Sequence, residues 1–307
     1  MSYKNLIEGP VIPIPTPFNQ DESVDLEGLG NYVKFLSENE MPAVMTTVGT
    51  SRYNLLSWQE MLDVNETLVK NAGPNTQTIV ANPTTGGLKN TIEFGKHAEK
   101  IGADYFLVFF PERHYGEDNT FDYFKTLCDN LSIKILIHEM PMRNGLGGGA
   151  VQYSLELLER LFQLENIVGV KEEALDAEYS NKILEKFAED VLIIGAGGGM
   201  SRYLNRDHQR GSMAFLGGIG GFIPKIELDF YKAITSGDNA TATKIVEEIE
   251  LKYFEKVVPF GWHPSLKIAL SIKGLTQPYE RSPMKQFPDS ETELMKVAVN
   301  DLDESKY

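Results

Sequence analysis

The chain has a single cysteine, Cys128, in 307 residues. No internal disulfide can form, which excludes a disulfide-stapled scaffold and fits a reducing compartment. Positive charge is also scarce. Lys and Arg number 29 against 44 Asp and Glu, for a formal net charge of -15. Such a surface disfavours nucleic acid and anionic membranes as partners, although a local basic group can still bind an anionic substrate. No apolar run approaches the roughly 18 residues of a membrane span. The opening stretch "MSYKNLIEGPVIPIPTPF" lacks the charged segment and long apolar run of a signal peptide. These absences lead us to expect a soluble cytoplasmic protein. The histidines, His97, His114, His138, His208 and His263, form no His-x-x-x-His or Cys–His array, so no metal is expected. No Gly-x-Gly-x-x-Gly follows the first apolar run, which counts against a doubly wound dinucleotide fold. There is no low-complexity linker and no short internal repeat.

What is present is a sizeable apolar fraction, 42%, and a rhythm. Short apolar runs alternate with amphipathic segments. "VIPIPTP", "AVMTTV", "QTIVANP", "YFLVFF", "KILIHEM", "IVGVKE", "VLIIGAG" and "SMAFLGG" read as strands, because each is short, apolar and bounded by turn residues. Between them lie helical spacings, such as Leu26, Leu29, Val33 and Leu36. Ser57 with Glu60 three residues on predicts a capped helix start, and Gly102 predicts a helix end. Eight such alternations predict a (β/α)₈ barrel over residues 1–224, with a C-terminal helical extension over 225–307 packed on it.

Barrel catalysis takes place at the C-terminal ends of the strands. Lys171 stands at one, closing "NIVGVKEEAL". A lysine there is partly desolvated, which disfavours its charged form, and a neutral amine can attack a ketone to form a Schiff base. The other reading is a snorkelling lysine, or one paired with Glu172 or Glu173. Only alternate strand residues face inward, so the two glutamates cannot both line the mouth. "GAGGGM" and "GGIGG", after the seventh and eighth strands, are open to two readings: a backbone phosphate site, or tight loops where the chain turns sharply. "NGLGGGA" (144–150) reads as a flexible loop.

Several stretches, in order along most of the chain, resemble the dihydrodipicolinate synthase / N-acetylneuraminate lyase family. "VIPIPTPF" resembles its first strand, ending in Thr-Pro-Phe. "SWQEM" resembles its Leu-Ser-x-x-Glu helix start, and "MPMRNG" its Asn-x-Pro-x-Arg-Thr-Gly turn. "IVGVKE" resembles its Schiff-base strand, and "SLKIALSIKGL" with "RSP" its C-terminal helix and exit. The resemblance implies a (β/α)₈ barrel in which Lys171 forms the imine with pyruvate or a related 2-keto acid. It implies no cofactor, since the iminium is the electron sink, and a homotetramer or homodimer.

Two departures stand out. For the family's Gly-Thr-Thr-Gly-Glu, the chain has "VGTSRYNLLS". Without a gap, Ser51 replaces Gly and Arg52 replaces Glu; shifted by one, Gly49-Thr50-Ser51 stands for Gly-Thr-Thr. Either way Gly49, Thr50 and Ser51 are the candidates for holding a substrate carboxylate. Arg52 is either a charge partner or a solvent-facing loop arginine. For the family's Tyr-Asn-x-Pro on strand five, the chain has His138 and Glu139. Imidazole can do acid–base work near neutral pH, so His138 is the second catalytic candidate, the alternative being a satisfied core histidine. Phe109 and Phe110 lack the hydroxyls of the family's Pro-Tyr-Tyr. Arg143 and Leu216 complete the candidate substrate contacts; for Arg143 a loop salt bridge is the other reading. The expected function is a Schiff-base lyase or aldolase, with the dihydrodipicolinate synthase reaction proper or an inactive keto-acid-binding homologue as alternatives.

Overall fold

The computed structural model describes residues 2–82, 87–109, 116–139, 152–174 and 176–306. Eight strands pair in sequence order into a closed barrel: β1 (Gly9–Pro13), β2 (Ala43–Thr46), β3 (Gln77–Ala81), β4 (Tyr105–Phe109), β5 (Lys134–Glu139), β6 (Ile167–Glu172), β7 (Leu192–Gly195) and β8 (Ala214–Leu216). Parallel strands covered on both faces need near-continuous apolar sequence. "AVMT" of β2 and "YFLVF" of β4 meet that need and are buried throughout.

Helices alternate with the strands: α1 (Leu26–Glu38), α2 (Trp58–Asn71), α3 (Leu88–Ile101), α4 (Glu117–Asn130), α5 (Leu155–Leu161), α6 (Ala177–Phe187), α7 (Gly199–Arg202) and α8 (Pro224–Thr235). Four more follow: α9 (Asn239–Ile245), α10 (Leu251–Val257), α11 (Trp262–Ile272) and α12 (Asp289–Asn300). The fold is therefore the expected (β/α)₈ barrel with C-terminal helices. Ser57 and Glu60 form a reciprocal capping box at α2. Gly102 ends α3 in the left-handed conformation, at φ 82°. The stretch "SRYLNRDHQRG" is not one helix. After α7 it widens into a π turn over Tyr203–Asp207 and tightens into a 3₁₀ turn over His208–Arg210.

The chain divides into two compact units, Met1–Glu8 with Gln77–Leu216, and Gly9–Thr76 with Gly217–Tyr307. In the first, the strand register is legible side chain by side chain. Phe109 pairs with His138, His138 with Lys171, Lys171 with Ile194, and Ile194 with Ala214. Residues in register on parallel strands share a face, so these five form one row across β4 to β8. The next residue on β5, β6 and β7 faces the other way, giving Glu139, Glu172 and Gly195.

In the second unit the motif stretches meet. Phe18 of "PTPF" is fully buried, with Lys267 Nζ 5.0 Å and Arg281 Cζ 4.8 Å from its ring. Lys267 belongs to "SLKIALSIKGL" and donates to the Thr16 carbonyl at 2.8 Å. Arg281 of "RSP" forks onto Glu60 of "SWQEM", at 2.7 and 2.9 Å. This arginine holds the Glu60 carboxyl well below the usual range, at about 2. Four stretches far apart in sequence are thus tied around one ring, by cation–π contacts and a forked ion pair.

Candidate active site

Lys171 stands in the row on β4 to β8. Its side chain is 4% exposed. Nζ donates to Glu173 Oε2 at 2.5 Å and lies 2.9 Å from His138 Nε2. His138 Nε2 is in turn 2.9 Å from the same Glu173 oxygen. Three chemically different groups, an amine, an imidazole and a carboxylate, therefore close a triangle. The Phe109 ring packs against His138 with centroids 4.4 Å apart, so one flank of the imidazole is apolar.

The triangle sets the charges of its members. Burial, and then Lys171, push the His138 pKa down to about 4, against the pull of Glu173. The ring is neutral at physiological pH and available as an acceptor. Burial works to raise Glu173, but Lys171 and His138 together outweigh it and hold the carboxyl well below its usual range. Glu173 is therefore a carboxylate, and at 31% side-chain exposure it is the most open member. Among the described residues, His138 Nδ1 is buried without a hydrogen-bond partner.

The same strand ends carry a second network on the opposite face. Glu172 is fully buried and pairs with Arg202 of α7. Arg202 also donates to the Glu172 and Ala196 carbonyls and, through Nε, to Asp207 at 2.8 Å. A Cβ at Gly195 would overlap the Asp207 carboxylate, so the first glycine of "GAGGGM" makes room for this brace. Glu139 lies beside Glu172 on the neighbouring strand. Burial, and then the Glu172 charge, raise its pKa to about 8, which resolves the juxtaposition of two acids by keeping one neutral.

Strand parity accounts for the two glutamates. Glu172 turns away from Lys171, while Glu173, two residues on, returns to it. Its amide continues the ladder by donating to the Glu139 carbonyl at 2.9 Å. The alternation expected from the sequence excludes one of the two from the mouth. The available signal was the i, i+2 spacing from Lys171.

The other candidates fall as follows. Leu216 lies two residues past Ala214 on β8, on the row's face, and is half-buried. Arg143, Phe110, and the 144–150 glycine stretch lie outside the described residues. Gly49, Thr50 and Ser51 form a single 3₁₀ turn after β2, in the second unit. No atom would crowd a Cβ at Gly49. Thr50 Oγ1 is 3.5 Å from His263 Nε2. The Ser51 hydroxyl is already committed to the Ile14 carbonyl at 2.6 Å, and its amide to Val48. As a correction to the expected donor role, Ser51 has only hydroxyl lone pairs left to offer.

Arg52 is not a solvent-facing arginine. It is 5% exposed and paired with Glu280 at 2.8 Å. Its φ of 60° is left-handed, a conformation glycine adopts without cost and other residues rarely do. This favours the shifted alignment, with Arg52 at the second glycine of the family motif. Thr47, a β-branched residue, is also left-handed at φ 58°. Strain of this kind concentrates at functional turns.

The "GGIGG" loop needs no phosphate to explain it. Its Gly218 amide donates to the Glu227 carboxyl of α8 at 2.7 Å, and a Cβ at Gly217 or Gly220 would collide with that carboxyl. The chain fills its own anion cradle.

Comparison with known proteins matches nearly the whole chain. A model of the dihydrodipicolinate synthetase family matches residues 7–302. The 4-hydroxy-tetrahydrodipicolinate synthase of Methanococcoides burtonii is 24% identical over 304 residues, covering 97% of this chain and 99% of the relative. An uncharacterized DapA-like lyase of Pyrococcus horikoshii is 27% identical, over 76% of this chain and 78% of its own. The crystal structure of N-acetylneuraminate lyase from Fusobacterium nucleatum superposes with a TM-score of 0.86 at 21% identity, over 96% of this chain and 99% of that one.

Proposed function

Because the chain belongs to the dihydrodipicolinate synthetase family, a family of class I lyases and aldolases, we propose that it is a lyase forming a Schiff base between Lys171 and pyruvate or a related 2-keto acid. The observation that carries this reading is the buried Lys171 amine held between an imidazole and a carboxylate. A structural lysine needs one counter-charge. Here the nitrogen meets two groups able to move protons, which imine chemistry requires at every step.

In this reading Nζ attacks the ketone carbon, and loss of water leaves an iminium. The iminium accepts the electron pair of a breaking carbon–carbon bond, or stabilises the enamine that makes one. His138, neutral at physiological pH, moves the proton to or from the substrate. Gly49 and Thr50 are proposed carboxylate contacts on the strength of the family motif, Thr50 being the hydroxyl donor, while Ser51, whose hydroxyl and amide are already donated, shapes the turn that presents them. Arg143 and Leu216 remain proposed substrate contacts, and a homotetramer or homodimer remains the proposed assembly.

The synthase reaction proper is the second reading, favoured by the names of the curated relatives. His138 and Phe109 stand against it, because neither supplies the phenol on which the family relay depends. The test is borohydride reduction in the presence of a panel of 2-keto acids, read by intact mass. The reading expects one irreversible adduct on the wild type and none on Lys171→Ala. Equal adduct on both proteins would refute it, and the acid that traps fastest would identify the substrate class.

A further inference from the structure

Glu173 has no place in the family pattern described above, yet it is the group closest to the nucleophile. Its Oε2 is 2.5 Å from Lys171 Nζ and 2.9 Å from His138 Nε2, nearer to Nζ than the imidazole is. Its backbone is fixed by the hydrogen bond to the Glu139 carbonyl, so the carboxylate is anchored. Beyond Lys171 and His138, Glu139 interacts with Glu173, and Glu172, on the opposite face of the strand, is committed to Arg202.

Resting on the imine reading of Lys171, we infer that Glu173 is a catalytic residue, the acid–base group that carries the proton of imine formation. A carboxylate one residue past β6 thereby takes the proton-carrying part that the family resemblance gives to a tyrosine. The proton that Nζ must shed to become a nucleophile passes to Oε2. The amine then forms the C–N bond as the carbonyl π pair moves to oxygen, and a proton moves from nitrogen to that oxygen, giving the carbinolamine. Protonated Glu173 gives its proton to the hydroxyl, the C–O bond breaks, and water leaves. The nitrogen lone pair closes the C=N bond, and Glu173 is again a carboxylate, now the counter-ion of the iminium. Protons and electrons balance without a co-reactant.

The test is the rate at which pyruvate is trapped on the full-length protein with cyanoborohydride in excess, followed by intact mass. Wild type, Glu173→Gln, Glu173→Ala and Lys171→Ala are compared. In Glu173→Gln the rate falls about 10²-fold, as loss of a general acid–base group does, while the final yield of adduct stays that of the wild type. In Glu173→Ala, added acetate or formate accelerates trapping, a rescue that a merely structural glutamate would not show. Trapping at the wild-type rate in Glu173→Gln, with no acetate effect in Glu173→Ala, would overturn the assignment while leaving the Lys171 imine intact. No adduct on the wild type with pyruvate or with any other acid of the 2-keto acid panel would instead overturn the imine reading, and this assignment with it.

Discussion

His138 stands at the centre of the proposed chemistry. Its Nε2 is shared by Lys171 and Glu173, its flank is covered by Phe109, and its Nδ1 has no partner among the described residues. A core histidine would have both nitrogens satisfied or solvated. We therefore expect His138→Ala to lose about 10²–10⁴-fold in turnover, the usual contribution of a general acid–base, while still trapping pyruvate on Lys171. Turnover unchanged in that variant, measured with the best-trapping acid, would return His138 to a packing role. At this scale the sequence was partly legible. Lys171 and His138 stand out as candidates in the sequence because each lies near the end of an apolar strand at a family position. Glu173 was not selected, because a charged residue after a strand end has the same appearance whether it is solvated or curled back onto the strand. Arg52 stays open between two readings for a related reason, since sequence shows a charge but not the buried Glu280 that receives it.

At the scale of the element, the end of β6 is held from behind. Arg202 joins the Glu172 and Asp207 carboxylates and the Glu172 and Ala196 carbonyls. Breaking a buried ion pair leaves an uncompensated charge and costs about 3–5 kcal/mol. Arg202→Met is thus expected to lower stability by that amount in urea denaturation, and a loss within experimental scatter would show the brace to be dispensable. The β8 loop and α8 offer a cleaner electrostatic test. Glu227 is fully buried, and burial pushes its pKa up to about 7 against the pull of the loop amides. A carboxyl raised in the folded state favours folding fully below its unfolded value of 4.5. That contribution is lost as pH rises through about 7. Glu227→Gln, which keeps the acceptor for Gly218, removes the titration. Between pH 5 and 8 its stability should gain on the wild type by about 3 kcal/mol. A gap independent of pH would mean the carboxyl ionises as freely folded as unfolded. These devices were invisible in the sequence, where "GGIGG" and "GAGGGM" showed only that side chains were absent, not which carboxylates filled the space.

For the whole molecule, the alternation of apolar runs and amphipathic helices was enough to read a (β/α)₈ barrel, because parallel strands and their covering helices leave strong, different periodicities. The family motifs were legible too, but in large part as architecture. "PTPF", "SWQEM", "SLKIALSIKGL" and "RSP" are bound to one another around Phe18, so their persistence in order marks a packing arrangement rather than a substrate. The chain also contains a rival nucleophile. Lys267 is 1% exposed, and burial lowers its pKa to about 8. It would satisfy any search for a desolvated lysine, yet its nitrogen rests on the Thr16 carbonyl, which cannot take up a proton at neutral pH. Peptide mapping after borohydride reduction with pyruvate separates the two lysines. The proposed chemistry predicts the added carboxyethyl group on the peptide carrying Lys171 and nowhere else. The same group on the Lys267 peptide, or on neither, would contradict it.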